Sequence, residues 1–136
     1  MSFADCGEFF TDVTEVDIKS PGFPGYYPNN ATCFWVVQHD CAESWTITAR
    51  KFDLEWHSSC SHDKLSFESL GADEQFVFCG DSSASYTSNN PYSHGLRGNL
   101  TINGSEINVI FESDFSVVHS GFDITIAANL FETCPG

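Results

Sequence analysis

The six cysteines are the residues of this sequence whose chemistry is easiest to assign. In a chain of 136 residues with a single Met, an even number of cysteines is typical of an oxidising compartment, where thiols pair as disulfides. Spacing alone does not choose among the many pairings that six cysteines permit. We therefore predict a secreted protein held together by disulfides, with no thiol left over.

Some of these cysteines lie near histidines and could instead bind a metal. His57, Cys60, His62 and Cys79 would form a mixed zinc site if the thiols were free. The secretory context makes the cysteines disulfide partners and leaves at most two histidines, so we interpret His57 and His62 as surface residues. The remaining histidines are scattered singly and receive the same interpretation: His39, His94 and His119.

The charge of the chain is strongly negative, with 5 Lys and Arg against 19 Asp and Glu and a formal net charge of -14. Arg50-Lys51 is the densest basic run, so nucleic acid and bare anionic membranes are disfavoured as partners. The acid excess suits cations, either metal ions or the Lys and Arg of another protein. The alternative is that the charge only keeps the protein soluble.

Three N-glycosylation sequons begin at Asn30, Asn99 and Asn103, in turn-like stretches, and agree with secretion. No apolar run is long enough for a membrane span, and none precedes Cys6 as a signal peptide would. We expect that a signal sequence has been removed. The short flanks favour a complete small protein over an excised domain.

Period-2 alternation of apolar and polar residues predicts the strands that must position these groups. It is clearest where Phe122, Ile124, Ile126 and Ala128 share one face. The other segments with this signal are Cys33 to Val37, Thr46 to Phe52, Leu65 to Phe67 and Ile107 to Phe111.

Turn-forming clusters of Gly, Pro, Asn and Ser separate these segments, and we find no amphipathic helix of ten residues. Short strands with close turns predict an all-β sandwich or barrel with antiparallel strands, as one domain over residues 1–136. The stretch from Gly80 to Gly95, rich in Ser, Asn and Tyr, is the longest predicted loop.

An ordered series of motifs then identifies a family. It consists of Cys6, Ser20 to Pro24, Tyr27 to Asn30, Cys33 to Trp35, Phe52 to Glu55, Cys60 to Leu65, Phe78 to Gly80, Phe111 to Ser116, and Gly121-Phe122. In order and spacing this series resembles the CUB domain family over about residues 6–128. The resemblance implies a jelly-roll-like sandwich with the family's two disulfides, Cys6 with Cys33 and Cys60 with Cys79. The simplest fate of Cys41 and Cys134 is a third bridge that ties the C-terminal tail back, and the alternative is a pair of free or intermolecular thiols.

The resemblance also implies a metal site. The family's calcium-binding members hold Ca²⁺ with carboxylates at the positions of Glu55, Asp63 and Asp114. Ser116 matches a residue that lends a backbone carbonyl, and Tyr27 matches a tyrosine that steadies the first Glu by a hydrogen bond. Clustered carboxylates repel one another without a cation, and Ca²⁺ takes oxygen ligands, so the residue types suit the ion.

By the same resemblance the ion orders loops, and the acids then accept a Lys or Arg from an extracellular protein or glycoprotein. Phe115 and Trp56 either flank that basic side chain or pack in the core. The resemblance also allows a homo-oligomer. Two alternatives stay open: a carbohydrate-binding protein similar to the spermadhesins, and a matrix or mucus protein that self-associates with calcium.

We predict a binding module and not an enzyme. The run from Phe78 to Ser82 resembles the nucleophile segment of trypsin-like proteases, but the match stops at Ser83 and the oxyanion-hole glycines are missing. The chain is also too short for that fold, and Phe78 to Gly80 is already explained as a CUB motif.

Overall fold

The computed structural model describes residues 6–57, 59–69, 71–81, 96 and 99–134. These residues form nine β-strands and no helix. In chain order the strands are β1 Glu8–Thr11, β2 Glu15–Lys19, β3 Thr32–Gln38, β4 Ala42–Asp53, β5 Lys64–Ser69, β6 Glu74–Phe78, β7 Asn99–Asn103, β8 Glu106–Glu112 and β9 Gly121–Leu130. The described chain thus contains no helix of the length and apolarity that a membrane crossing needs.

The strands form two sheets, and the prediction of an all-β sandwich is confirmed. One sheet has the order β1-β3-β8-β5-β6 and the other has the order β2-β9-β4-β7. All pairs are antiparallel except β1 with β3, which run parallel in the register Glu8 with Trp35 to Thr11 with Gln38. The Cys6–Cys33 disulfide holds β1 beside β3, because it attaches the chain just before β1 to the start of β3.

The apolar positions of the predicted strands form the core between the sheets. Phe122, Ile124 and Ile126 of β9 are fully buried, as predicted from their alternation, and they face Phe111 and other side chains of the opposite sheet. Edge-to-face aromatic contacts join the layers, with 5.3 Å between the ring centroids of Phe111 and Phe122. Burial of these faces, more than any single contact, holds the two sheets together.

Three disulfides reinforce the sandwich. Their Cα–Cα distances are 5.2 Å for Cys6–Cys33, 5.7 Å for Cys41–Cys134 and 5.4 Å for Cys60–Cys79. These are the two pairings that the family resemblance implied and the third that was the simplest for the remaining cysteines. Because Cys60 and Cys79 are bonded to each other, the zinc site built on their thiols is excluded.

Candidate metal site

Three loops from both sheets meet at one end of the sandwich. They comprise residues 20–31 between β2 and β3, 54–57 and 59–63 between β4 and β5, and 113–120 between β8 and β9. The N–H of Asn30 donates to the carbonyl of Asp114 at 2.7 Å, and the N–H of Tyr27 donates to the carbonyl of His119 at 3.1 Å. The first and third loops are therefore joined through their backbones.

Asp63 and Tyr27 lie at the centre of these loops and are 0% and 1% exposed. The Tyr27 hydroxyl donates to Asp63 Oδ2 at 2.5 Å and accepts a hydrogen bond from the N–H of Glu55 at 3.2 Å. Asp63 Oδ1 accepts a hydrogen bond from the N–H of Asp114 at 2.8 Å. This buried pair thus links all three loops and fixes the backbones of Glu55 and Asp114.

The electrostatics of the buried pair favour a cation. Burial raises the pKa of the Asp63 carboxyl; hydrogen bonds from Tyr27 and from the Asp114 N–H oppose that effect, and the charges of Asp114 and Glu55 add to it. Burial also raises the pKa of Tyr27, and its bond to Asp63 does so further, so the hydroxyl keeps its proton as a donor. A cation nearby would stabilise the ionised form of Asp63.

Glu55, His62 and Asp114 each place one potential ligand atom in a common space, with all three atoms within 4.8 Å of one another. Glu55 Oε2 lies 3.1 Å from His62 Nδ1. Glu55 Oε1 is buried and has no hydrogen-bond partner among the described residues. A buried carboxylate oxygen without a partner is unfavourable, and a cation would supply that partner. The residues at this end of the sandwich therefore fit a metal ion.

The structure brings Glu55, Asp63 and Asp114 of the predicted set together. The hydrogen bond that Tyr27 makes to Glu55 is to its backbone N–H, and the hydroxyl proton points instead to Asp63. The N–H of Ser116 lies 3.3 Å from Asp114 Oδ1 and orients that carboxylate. The role of the Ser116 carbonyl as a ligand stays a prediction.

The sequence interpretation missed His62. Its side chain is 42% exposed, which agrees with a surface residue, but it lies against the carboxylate of Glu55. Its neighbour His57 packs against it with 4.3 Å between ring centroids. The one signal in the sequence was adjacency, because His62 directly precedes Asp63.

The aromatic residues near the site are on the surface. Phe115, next to Asp114, is 77% exposed, and Trp56, next to Glu55, is 42% exposed. Of the two interpretations offered for Phe115, core packing does not apply. An apolar ring therefore stands in solvent beside a carboxylate of the site.

The other predicted sites are distributed over the rest of the chain. Asn99 and Asn103 lie on the edge strand β7, and Asn30 is exposed in the first loop. Their glycosylation stays a prediction. Residues 82–95 of the predicted long loop lie outside the described residues, and with them Ser82 at the end of the protease-like run, Ser83 and His94.

Comparison with known proteins adds the family and the fold. The sequence profile of the CUB domain matches residues 6–126. The chain is 32% identical over 126 residues to cubilin of Rattus norvegicus, a match that covers 91% of this chain and 3% of cubilin. The chain therefore spans only a small part of the curated relatives that it matches.

Solved structures agree. The full extracellular region of zebrafish Gpr126/Adgrg6 has a TM-score of 0.74 at 28% identity, over 93% of this chain and 15% of that chain. The MASP-1 CUB2 domain bound to Ca²⁺ has a TM-score of 0.71 at 22% identity, over 90% of this chain and 99% of that domain. This second likeness shows the fold alone.

Proposed function

We propose, from the premise that this chain belongs to the CUB domain family, that it is an extracellular calcium-binding module whose acidic site receives a basic side chain of a partner. The observation that carries the proposal is the buried Oε1 of Glu55, which has no hydrogen-bond partner within the described part of the chain and lies beside the carboxylates of Asp63 and Asp114. The protein acts by binding, and the ion takes part in no reaction.

Oxygen ligands favour calcium as the resident ion. Ca²⁺ takes about 6 to 8 oxygens at about 2.3–2.6 Å and tolerates irregular geometry. Glu55, Asp63 and Asp114 supply carboxylate oxygens, and Ser116 supplies a carbonyl oxygen. The hydrogen bonds that Asp63 already accepts leave lone pairs on both of its oxygens. The ion would neutralise the repulsion among the acids and hold the three loops in place.

The same charges explain recognition of a partner. Three carboxylates around one divalent ion leave an excess negative charge, which attracts a Lys or Arg side chain. The exposed ring of Phe115 offers apolar contact for the aliphatic stem of such a side chain. A contact of this kind is weakened by salt and by chelator, and gains strength when several modules bind together.

Calorimetric titration of chelator-treated protein with CaCl₂ tests the metal site, with Asp114→Asn as the variant and Glu43→Gln as the control. Both substitutions remove one negative charge, and Glu43 is exposed at the end of β4 opposite to Asp53. We expect about one Ca²⁺ per wild-type chain and at least about tenfold weaker binding by Asp114→Asn. Glu43→Gln is expected to bind within about twofold of the wild type, because a distant exposed charge is screened.

Thermal melting gives the second readout. A ligand that binds only the folded state raises the melting temperature, so calcium should raise it more for the wild type and Glu43→Gln than for Asp114→Asn. Absence of calorimetric binding at millimolar calcium contradicts the proposal and leaves the fold unaffected.

One observation favours the carbohydrate-binding alternative. A groove of about 370 Å³ on the outer face of the five-stranded sheet is lined by polar side chains, including Ser66, Glu68 and Gln75, with Val77 and Ile110 as apolar contacts. Polar groups combined with apolar surface suit a sugar. Glycan-array binding that chelator does not change would favour this function, and calcium-dependent self-association would favour a matrix protein.

A further inference from the structure

His62 adds a nitrogen to a site whose other ligands are oxygens. Its Nδ1 lies 3.1 Å from Glu55 Oε2 and within 4.8 Å of the ligand atom of Asp114. Among the residues that the structure describes, this is the one group of three such side chains with their ligand atoms so close. Calcium gains little from an imidazole, because it is a hard ion that selects oxygen.

We propose that Glu55, His62 and Asp114 form a second, mixed nitrogen–oxygen binding mode for a divalent transition metal, with Zn²⁺ as the ion to test, in competition with calcium. The inference rests on the proposed function to the extent that both ions use Glu55 and Asp114. The zinc mode differs from the calcium mode in its use of His62, which is the residue that selects the ion.

The distances suit a small tetrahedral ion. Zn–N and Zn–O bonds of about 2.0–2.1 Å place two tetrahedral ligand atoms about 3.3 Å apart. The separation of 3.1 Å between His62 Nδ1 and Glu55 Oε2 is already close to that value. Asp114 must approach by a further small side-chain rotation, since the three atoms lie within 4.8 Å. Three protein ligands leave a fourth position for water or for a group of the partner.

The surroundings of His62 support this role. The backbone N–H of Ser59 donates to His57 Nδ1 at 3.1 Å, so that nitrogen is already in use and His57 is held in place. The His57 ring then packs against His62 with centroids 4.3 Å apart and limits its orientations. The buried Oε1 of Glu55, which has no partner among the described residues, is an independent indication that a cation belongs here.

The test is calorimetric titration with ZnCl₂ of chelator-treated wild type, His62→Gln and His119→Gln at neutral pH. His119 is a matched control, because its Nδ1 also lies beside a carboxylate, 2.9 Å from Asp53 Oδ1, and its side chain is 36% exposed. We expect His62→Gln to bind Zn²⁺ at least about tenfold more weakly than the wild type. His119→Gln is expected to bind Zn²⁺ like the wild type. Added calcium should weaken wild-type zinc binding by competition.

A spectroscopic readout identifies the ligand directly. In long-range ¹H–¹⁵N NMR spectra of the imidazoles, Zn²⁺ should shift the ring nitrogens of His62, whereas Ca²⁺ should shift them far less. Circular dichroism and melting of the His62→Gln variant check that the fold is retained.

The outcomes separate the two proposals. Zinc binding that is absent in the wild type or unchanged in His62→Gln overturns this inference, whatever calcium does. If the protein binds calcium, zinc binding that is indifferent to calcium also overturns it. Failure of calcium to bind, while zinc binding depends on His62, overturns the proposed function and leaves the zinc site supported.

Discussion

Tyr27 and Asp63 form the contact on which the site depends at the scale of single residues. A carboxylate that is 0% exposed is tolerated here because a hydroxyl and a backbone N–H donate to its two oxygens. The rings of Phe111 and Tyr27 pack in a T-shaped contact with 5.0 Å between their centroids, which holds the Tyr27 ring from the core side. The geometry of the metal site is therefore an extension of core packing.

Removal of one hydroxyl tests this contact. Tyr27→Phe leaves Asp63 Oδ2 and the N–H of Glu55 without their partner, so we expect the free energy of unfolding of the metal-free protein to fall by about 1–3 kcal/mol. Tyr26→Phe is the matched control, because Tyr26 is 70% exposed, and should change it by less than about 0.5 kcal/mol. Urea denaturation at neutral pH gives both values, and equal losses would contradict the assignment.

The same variant has a signature at alkaline pH. The pKa of Tyr27 is raised in the folded state above its ordinary value of 10.0, first by burial and then by the bond to Asp63. Above pH 10 the folded chain therefore holds a proton that the unfolded chain releases. The contribution of Tyr27 to the free energy of unfolding is complete below pH 10 and is lost as the pH rises further. Denaturation above pH 10 should show a steeper loss for the wild type than for Tyr27→Phe.

At the scale of elements, the positions of the strands in the sheets explain which of them the sequence revealed. The segments with clear alternation became the inner strands β3, β4, β5, β8 and β9. In the described part of the chain, the four strands without a predicted counterpart, β1, β2, β6 and β7, are the four edge strands. They have four or five residues each and mostly exposed or partly buried side chains, so they carry little hydrophobic pattern.

The start of β9 shows how an element positions a loop. Gly121 has a φ of +91°, and the Ser20 Oγ occupies the place that a Cβ would take. Ser20 is 3% exposed, and its Oγ accepts a hydrogen bond from the N–H of Phe122 at 3.1 Å. The absence of a side chain at Gly121 thus lets the first loop pack against the strand that follows the third loop.

Substitution of this glycine gives an element-scale prediction. Gly121→Ala adds a methyl group where Ser20 lies and strains the backbone, so we expect a loss of about 2 kcal/mol or more in the free energy of unfolding. Gly71→Ala is the control, because in the described part of the chain, leaving out its two chain neighbours, no atom lies within 4 Å of its added Cβ. Chemical denaturation of both variants measures the difference, and similar stabilities would show that the Ser20 contact is unimportant.

At the scale of the whole molecule, repulsion among like charges dominates the electrostatics. The formal net charge is -14, from 19 acidic against 5 basic residues. Exposed pairs such as Arg50 with Asp17 and Lys64 with Glu112 contribute little, because solvent screens them. Net repulsion should therefore exceed the attraction of these pairs in the metal-free protein.

Salt dependence of melting tests that balance. We expect the melting temperature of chelator-treated protein to rise by several degrees between about 10 mM and 300 mM NaCl, because the Debye length shortens from about 30 Å to less than 8 Å. Potassium chloride should give the same result, which excludes a specific sodium effect. A melting temperature that falls with salt would mean that the ion pairs outweigh the repulsion.

The sequence by itself determined the features that leave a periodic pattern in the residues or a series of motifs in a fixed order. Alternation around Phe122 and Phe111 identified inner strands, because burial of one face leaves a period of two in the residues. The even number of cysteines indicated disulfides. The motif series indicated the family and, through it, the acidic residues of the predicted calcium site, among them Asp63 and Asp114. None of these inferences required knowing which strands are neighbours.

Only the tertiary structure decided how the site is assembled. Asp63 and Asp114 are 51 residues apart and meet because Asp63 directly precedes β5, Asp114 follows β8, and these two strands pair in one sheet. Tyr27 comes from a loop that leads from the other sheet. The burial of Glu55 Oε1 and the approach of His62 to Glu55 also arise there. The physical reason is that periodicity records whether a residue is buried, whereas the identity of its neighbours depends on strand order and the packing of the sheets.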